Sequence, residues 1–268
     1  MITVDIEART SRVRTWKRAP MIVERNRLAY RHAWAVFVSG FFEPLFYLGA
    51  VGFGLGTFIG QVPFGGESIP YAAFVAPGML AASTLNGAVA DGFFNPFFKL
   101  NWMRTYEAMI STPLGVGDIV LGEIIWAQSR GTLYSAGFLI VMLALGLIES
   151  PWGVLALPAA MLCSAALSSG AMVLTGITKQ ISSLEKVMTL IVFPLFLFSG
   201  TFFPIEVYPA WLQPVVELMP LYRGAHLLRS FTVGHITPVI LLDVAYLLGM
   251  LVLCWWVSVR LVRRRMIL

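Results

Sequence analysis

The sequence predicts an all-α integral membrane protein with six transmembrane helices. Three observations carry this. Apolar residues make up 58% of the 268-residue chain and charged residues only 12%, with a mean hydropathy of +0.79; a soluble domain carries about 25% charged residues. Six apolar stretches near or above bilayer-crossing length occupy most of the chain. Basic residues crowd one alternating set of the connections between them.

Residues 1–32 are polar and basic and form the N-terminal segment. From about Pro20 to His32 the pattern suits an amphipathic interface helix, with Met21, Ile22, Leu28 and Ala29 opposite Glu24, Arg25, Arg27 and Arg31. The six-span domain then covers 33–260. Span one is expected at 33–58; its roughly 25 residues rise far enough to cross a 30 Å core with some tilt. This run is too long for a signal-peptide core and no A-x-A site follows. A loop at 59–70 holds Pro63, Gly65, Gly66 and Pro70, and span two follows at 71–98.

The mixed segment 99–130 is read as the longest interior connection, broken at Thr112-Pro113-Leu114-Gly115. Spans three and four are expected at 131–148 and 152–177, joined by a very short turn. Span five, at 187–203, has about the minimum crossing length. Segment 204–235 is rich in proline and aromatics, span six is 236–259, and 261–268 is a basic tail. With alternate connections inside, 17 Lys and Arg residues lie on the inner side and 2 on the outer. The positive-inside rule then makes both termini cytoplasmic.

Several function classes are disfavoured. No G-x-x-x-x-G-K-[ST] motif cradles a triphosphate, so no cofactor is expected on this chain; if the protein pumps with ATP, another chain must hydrolyse it, with its Mg. His32, His226 and His235 are scattered, and Cys163 and Cys254 lie inside apolar spans, which argues against a metal site or disulfide framework. No H-E-x-x-H occurs, and no histidine lies in a span to activate Ser169. The basic residues sit at membrane edges, without the aromatic interleaving of a nucleic-acid interface.

The remaining features fit transport. Residues 99–111 read as a short amphipathic helix ended by Pro113, suited to docking a cytosolic partner, or else as a solvated loop. Segment 204–235 is too apolar to float in water; it reads as a re-entrant hairpin or an amphipathic surface helix. Glu43, Asp91 and Asp243 are acids within spans, and each needs a function or a partner. Gly52, Gly56 and Gly60 form a small-residue stripe permitting close helix approach. Phe41, Phe42, Phe46 and Tyr47, with Phe193, Phe196 and Phe198, could line an apolar path or pack ordinarily.

The stretch Phe193-Pro-Leu-Phe-Leu-Phe-Ser-Gly-Thr-Phe-Phe-Pro-Ile-Glu-Val-Tyr-Pro-Ala-Trp-Leu-Gln-Pro214, continuing to Leu218-Met-Pro-Leu-Tyr222 and Arg229, resembles the ABC-2 type permeases. Those are membrane subunits of ATP-driven exporters. Tyr106-Glu-Ala-Met109, Thr112-Pro-Leu-Gly-Val-Gly-Asp-Ile-Val-Leu-Gly-Glu123-Ile-Ile-Trp-Ala127, Glu43-Pro-Leu-Phe-Tyr-Leu48 and Gly52-Phe-Gly-Leu-Gly56 are similar to its nodulation protein J (NodJ) branch, tied to lipo-oligosaccharide export. The likeness spans roughly 40–265.

This resemblance implies a type V exporter-like fold in the bacterial plasma membrane. It implies two permease copies, identical or related, over two ABC ATPase subunits, moving an amphipathic substrate such as a lipo-oligosaccharide, glycolipid or hydrophobic drug. It puts ATPase coupling on Arg25, Arg27, Arg31, Lys99, Trp102, Arg104 and Glu107. It puts the substrate path on Phe42, Glu43, Phe46, Tyr47, Phe193, Phe196 and Phe198. An outer gate of re-entrant helices would use Phe202, Phe203, Trp211 and Tyr222. An ion-coupled carrier or a membrane scaffold without an ATPase is the alternative.

Overall fold

The computed structural model describes residues 18–31, 42 and 44–267. Helix α1, Ala19–Tyr30, begins with Pro20 in its first turn, where the missing N–H costs nothing. Helix α2, Pro44–Ile59, leads into a hairpin of β1, Gln61–Phe64, and β2, Glu67–Pro70. The strands pair antiparallel, Gln61 opposite Pro70 and Phe64 opposite Glu67. Gly65 and Gly66 form the two-residue turn, both at positive φ (62° and 87°), which glycine adopts without strain.

Helix α3, Tyr71–Asn101, runs 31 residues and contains a π-helical stretch, Ala88–Phe94. A tight corner at 102–104 turns it into α4, Thr105–Ile110. Helix α5, Val116–Ala144, starts where the Asp118 carboxylate accepts from the Gly115 N–H at 2.9 Å, satisfying a helix-start donor. Helix α6, Pro151–Ile177, is followed by α7 at 182–198, which also has a π turn, Met188–Val192. A bend and a 3-10 turn lead to α8, Gln213–Glu217, then α9, Pro220–Val233, and α10, Val239–Ile267.

The main core lies between α3, α5, α6 and α9, filled by Phe74, Met79, Phe93, Phe97, Phe138, Leu167 and Leu228. A smaller core of Ile22, Tyr106, Met109, Ile119, Ile124, Met172 and Val262 joins α1, α4 and α5 to the ends of α6 and α10. Close approach depends on glycine at several contacts, two of them on α5. A Cβ on Gly122 would meet Ile22 Cβ at 2.7 Å, so α1 lies directly on α5. A Cβ on Gly87 would meet Gly131 Cα at 2.8 Å, which brings α3 and α5 backbone to backbone.

Two buried charge pairs span α3 and α5. Arg130 Nη1 lies 3.0 Å from Asp91 Oδ2, and Arg130 Nε donates to the Tyr134 hydroxyl at 2.7 Å. Asn95 also donates to Asp91. Lys99 Nζ lies 2.8 Å from Glu123 Oε2.

The structure divides some stretches differently from the sequence expectation. Segment 99–130 is not one connection: α3 continues to Asn101, α4 is only six residues, and α5 begins at Val116. Asp118, Glu123 and Arg130 are buried on that helix rather than exposed in a loop. In α1, Ala19, Ile22 and Asn26 face inward while Met21 and Leu28 are exposed, so the buried face is offset from the expected one. Basic residues Arg260 and Arg263 to Arg265 extend α10 as helix. Arg265 donates to the carbonyls of Thr175 and Thr178 at the end of α6. Among the described residues, α3, α6 and α10 are long and apolar enough to cross a membrane.

Arg130→Met should strand the Asp91 charge and destabilise the protein by roughly 3–5 kcal/mol. Adding Asp91→Leu should recover most of that loss. Thermal unfolding of wild type and the two variants in one detergent tests this; equal midpoints for the single and double variants would refute the pairing.

Candidate functional site

Three groups of residues stand out, two at the ends of α3 and one along its flank. The first surrounds the α3–α4 corner. Arg104 adopts a left-handed backbone (φ 48°, ψ 27°), the one non-glycine residue at positive φ among those described. This conformation costs an L-residue about 1–2 kcal/mol, and it reverses the chain. Below the corner, Tyr106 and Met109 plug the smaller core. Above it, Trp102 (65% exposed), Met103 (70% exposed), Arg104 and Glu107 face outward.

Helix α1 lies on α5 beside this corner. Its exposed side carries Arg25, Arg27 and Arg31, and Arg27 pairs loosely with Glu24 at 3.4 Å. Its buried side carries Asn26, which donates to Glu123 Oε2 at 3.0 Å and accepts from Lys99 Nζ at 3.0 Å. Lys99, expected at a docking surface, is therefore inside, tying α1, α3 and α5 together. Sequence reasoning misses Asn26 and Glu123, which lie 73 residues before and 24 residues after Lys99.

The second group is aromatic. Tyr47 of α2 meets Phe196 of α7 (centroids 5.6 Å apart) and Phe202 beyond it (6.4 Å); Phe196 and Phe202 meet at 5.3 Å. Phe42 stacks on Phe46 at 6.0 Å, and both are exposed. Phe193 and Phe198 are also exposed, and Phe198 lies near Tyr208. The structure thus joins Tyr47, Phe196 and Phe202 and leaves Phe193 apart. Glu43 lies outside the described residues.

The third group is at the hairpin end of α3. Phe202 is buried and its carbonyl accepts from the Tyr71 hydroxyl at 3.0 Å. Phe203 and Trp211 are exposed, so of the expected gate residues only Phe202 and Tyr222 face inward. Tyr222 lies over His226 (6.2 Å). Asp243 of α10 is paired with Arg223 Nη1 at 3.1 Å and His226 Nδ1 at 2.6 Å, and so has the partner that an acid in a span requires. A cavity of about 250 Å³ opens between the hairpin, α3, α9 and the 204–206 turn. Arg229 of α9 lies at it, and an arginine guanidinium stays a cation at neutral pH.

The sequence model of the family described as ABC-2 type transporter matches residues 20–233. The chain is 34% identical over 266 residues to nodulation protein J of Neorhizobium galegae, covering 98% of each. It is 34% identical over 244 residues to nodulation protein J of Rhizobium leguminosarum bv. trifolii, 91% of this chain and 92% of that one. Inner membrane transport permease YadH of Escherichia coli (strain K12) is 23% identical over 212 residues, 75% of this chain and 78% of that one.

Lys99→Met should leave Glu123 uncompensated and loosen α1, accelerating trypsin cleavage at Arg25, Arg27 and Arg31 by on the order of a hundredfold. The exchanged pair Lys99→Glu with Glu123→Lys should return cleavage toward the wild-type rate. Unchanged cleavage in the single variant would show that the cluster does not hold α1.

Proposed function

The chain belongs to the ABC-2 type transporter family, and we propose that it is the membrane-spanning permease subunit of an ATP-driven exporter. It is a multi-pass membrane protein. In this reading it sits in the bacterial plasma membrane with six spans and both termini cytoplasmic. It pairs with a second permease copy and docks two ABC ATPase subunits, which bind and hydrolyse ATP with Mg. The cargo is an amphipathic molecule of the lipo-oligosaccharide, glycolipid or hydrophobic-drug class.

The observation that carries this reading is the divided α3–α4 corner. One face, Tyr106 and Met109, is rooted in the protein; the other, Trp102, Met103, Arg104 and Glu107, stands exposed. A partner gripping the exposed face moves the rooted one. Large aromatic and arginine side chains on such a knob are the types that dominate protein interfaces. Arg25, Arg27 and Arg31 extend the same basic face along α1. Lys99 acts from inside, by holding that face in register.

ATP-driven closure of the two ATPases pushes α4, and with it α3, and separates the permease halves. The cargo then moves past Phe42, Phe46, Tyr47, Phe193, Phe196 and Phe198, of which Tyr47 and Phe196 meet in one cluster, with Glu43 as a polar contact. It leaves past the outer end, where α8 and α9 form a re-entrant cap and Phe202, Phe203, Trp211 and Tyr222 border the exit.

Arg104→Glu and Glu107→Arg should each lower co-purification of the ATPase or export-coupled ATP turnover by about tenfold or more. Their detergent melting temperatures should stay near wild type, because both side chains are exposed. Normal export by both variants would count against docking at this corner. Purification from native membranes without any P-loop ATPase would sink the exporter reading itself.

A further inference from the structure

We propose that the cavity at the hairpin end is a binding site for an oxyanion group, with Arg229 as its anchoring cation. Arg229 is only 3% exposed. Nε donates to the Phe74 carbonyl and Nη2 to the Gly200 carbonyl, both at 3.0 Å. The guanidinium carbon lies 3.7 Å from the Phe74 ring centroid and 5.5 Å from that of Phe64. Among the described residues no carboxylate pairs with it, in contrast to Lys99, Arg130 and Arg223. Nη1 makes no hydrogen bond among them either. Carbonyls and rings therefore hold the group rigidly while a charged donor remains open.

The surroundings suit the same chemistry. His226 lines the cavity, and its Nδ1 is engaged by Asp243, leaving Nε2 uncommitted. His235 also lines it, held against the hairpin turn, where a Cβ on Gly65 would meet the ring at 2.6 Å. The planar guanidinium matches phosphate, sulfate or carboxylate oxygens, and a buried charge-assisted bond is among the stronger polar contacts. Phe64 and Tyr222 offer flat apolar walls to whatever bears the oxyanion.

Size narrows the occupant. About 250 Å³ is below the range of about 300–1,000 Å³ typical for whole drug-sized ligands. The cavity fits a headgroup, with any acyl chain remaining outside. Glu206 also lines it, is exposed, and lies close enough to Arg229 to affect it electrostatically. Its carboxylate weakens anion binding, so the site favours release as well as capture. The oxyanion can come from a membrane lipid or from a soluble molecule; the chemistry of capture is the same. Binding at this cavity is measured on the protein alone, without an ATPase, and is independent of ATP coupling.

The full-length protein, purified in a non-ionic detergent, is titrated calorimetrically with glycerol 1-phosphate, with glycerol as the uncharged control. A parallel arm measures retention of phosphatidylglycerol against diacylglycerol by native mass spectrometry. Wild type should bind the phosphate-bearing partner of at least one pair and neither uncharged control. Binding in the soluble arm alone assigns a soluble anion, and retention in the lipid arm, with or without soluble binding, assigns a lipid headgroup. Arg229→Gln should weaken binding about tenfold or more, and Glu206→Gln should tighten it severalfold. If Arg229→Gln fails to fold, Glu206→Gln and His235→Ala decide, with tightening and weakening expected respectively. No binding in either arm, or affinity indifferent to these substitutions, overturns the site.

Discussion

A charge removed from water must meet an opposite charge or fixed dipoles, and that constraint sets how this bundle is assembled. Along α3 an acid, Asp91, precedes a base, Lys99. Along α5 an acid, Glu123, precedes a base, Arg130. Asp91 pairs with Arg130 and Lys99 with Glu123. Only antiparallel packing in one register satisfies both pairs, because the two fixed points lie about 12 Å apart on α3. A one-turn slip would separate both pairs and leave four buried charges uncompensated. The close approach of Gly87 and Gly131 fits the same register.

The rest of the structure attaches to this pair. Helix α1 uses the Lys99–Glu123 pair as an anchor, with Asn26 hydrogen-bonded to both members and Ile22 resting on Gly122. Helix α6 reaches the π turn of α3, where the Thr175 hydroxyl donates to the carbonyls of Gly92 and Phe93 at 3.1 Å. A π turn leaves carbonyls imperfectly paired, and a hydroxyl from a neighbour satisfies them. Helix α10 is tied on at Arg265, which donates to the final carbonyls of α6 and to Asn101 of α3. Cations suit that position because the C-terminal end of a helix carries partial negative charge.

The apolar runs behind α3, α6 and α10 are legible in the sequence because a hydrophobic stretch of that length matches the thickness of a bilayer. Helix α5 is cut short when read from sequence alone. Asp118, Glu123 and Arg130 lower its hydropathy, and nothing local reveals that Lys99 and Asp91 of α3 neutralise Glu123 and Arg130. The acids Asp91 and Asp243 are visible as needing partners. Their partners lie 39 positions away for Asp91 and 20 and 17 for Asp243, a separation that periodicity cannot bridge. Trp102, Arg104 and Glu107 follow from a local amphipathic pattern and do share an exposed corner. Lys99 belongs to the same pattern, yet its side chain turns inward toward Glu123. The Gly65-Gly66 hairpin carries its signal in the turn residues, but proline on both strands masks the alternation.

Charge in this bundle therefore divides into two kinds. Paired charges fix register, and substituting one member breaks the packing. Arg229 is held by carbonyls and aromatic rings instead, which satisfy geometry but cancel no charge. It draws one of those carbonyls from Phe74, near the start of α3, while Lys99 lies near its end, roughly 40 Å away along the helix axis. Helix α3 thus links the exposed corner to the cavity through one continuous element. Asp91 and Lys99 tie the α4-proximal part of α3 to α5, so a push at α4 would displace that part, with the π-helical stretch and Pro77 on the way to Phe74. In an ATP-driven cycle, that displacement would shift the Phe74 carbonyl and ring against Arg229. The strength with which the cavity holds an anion would then depend on the state of the α4 corner.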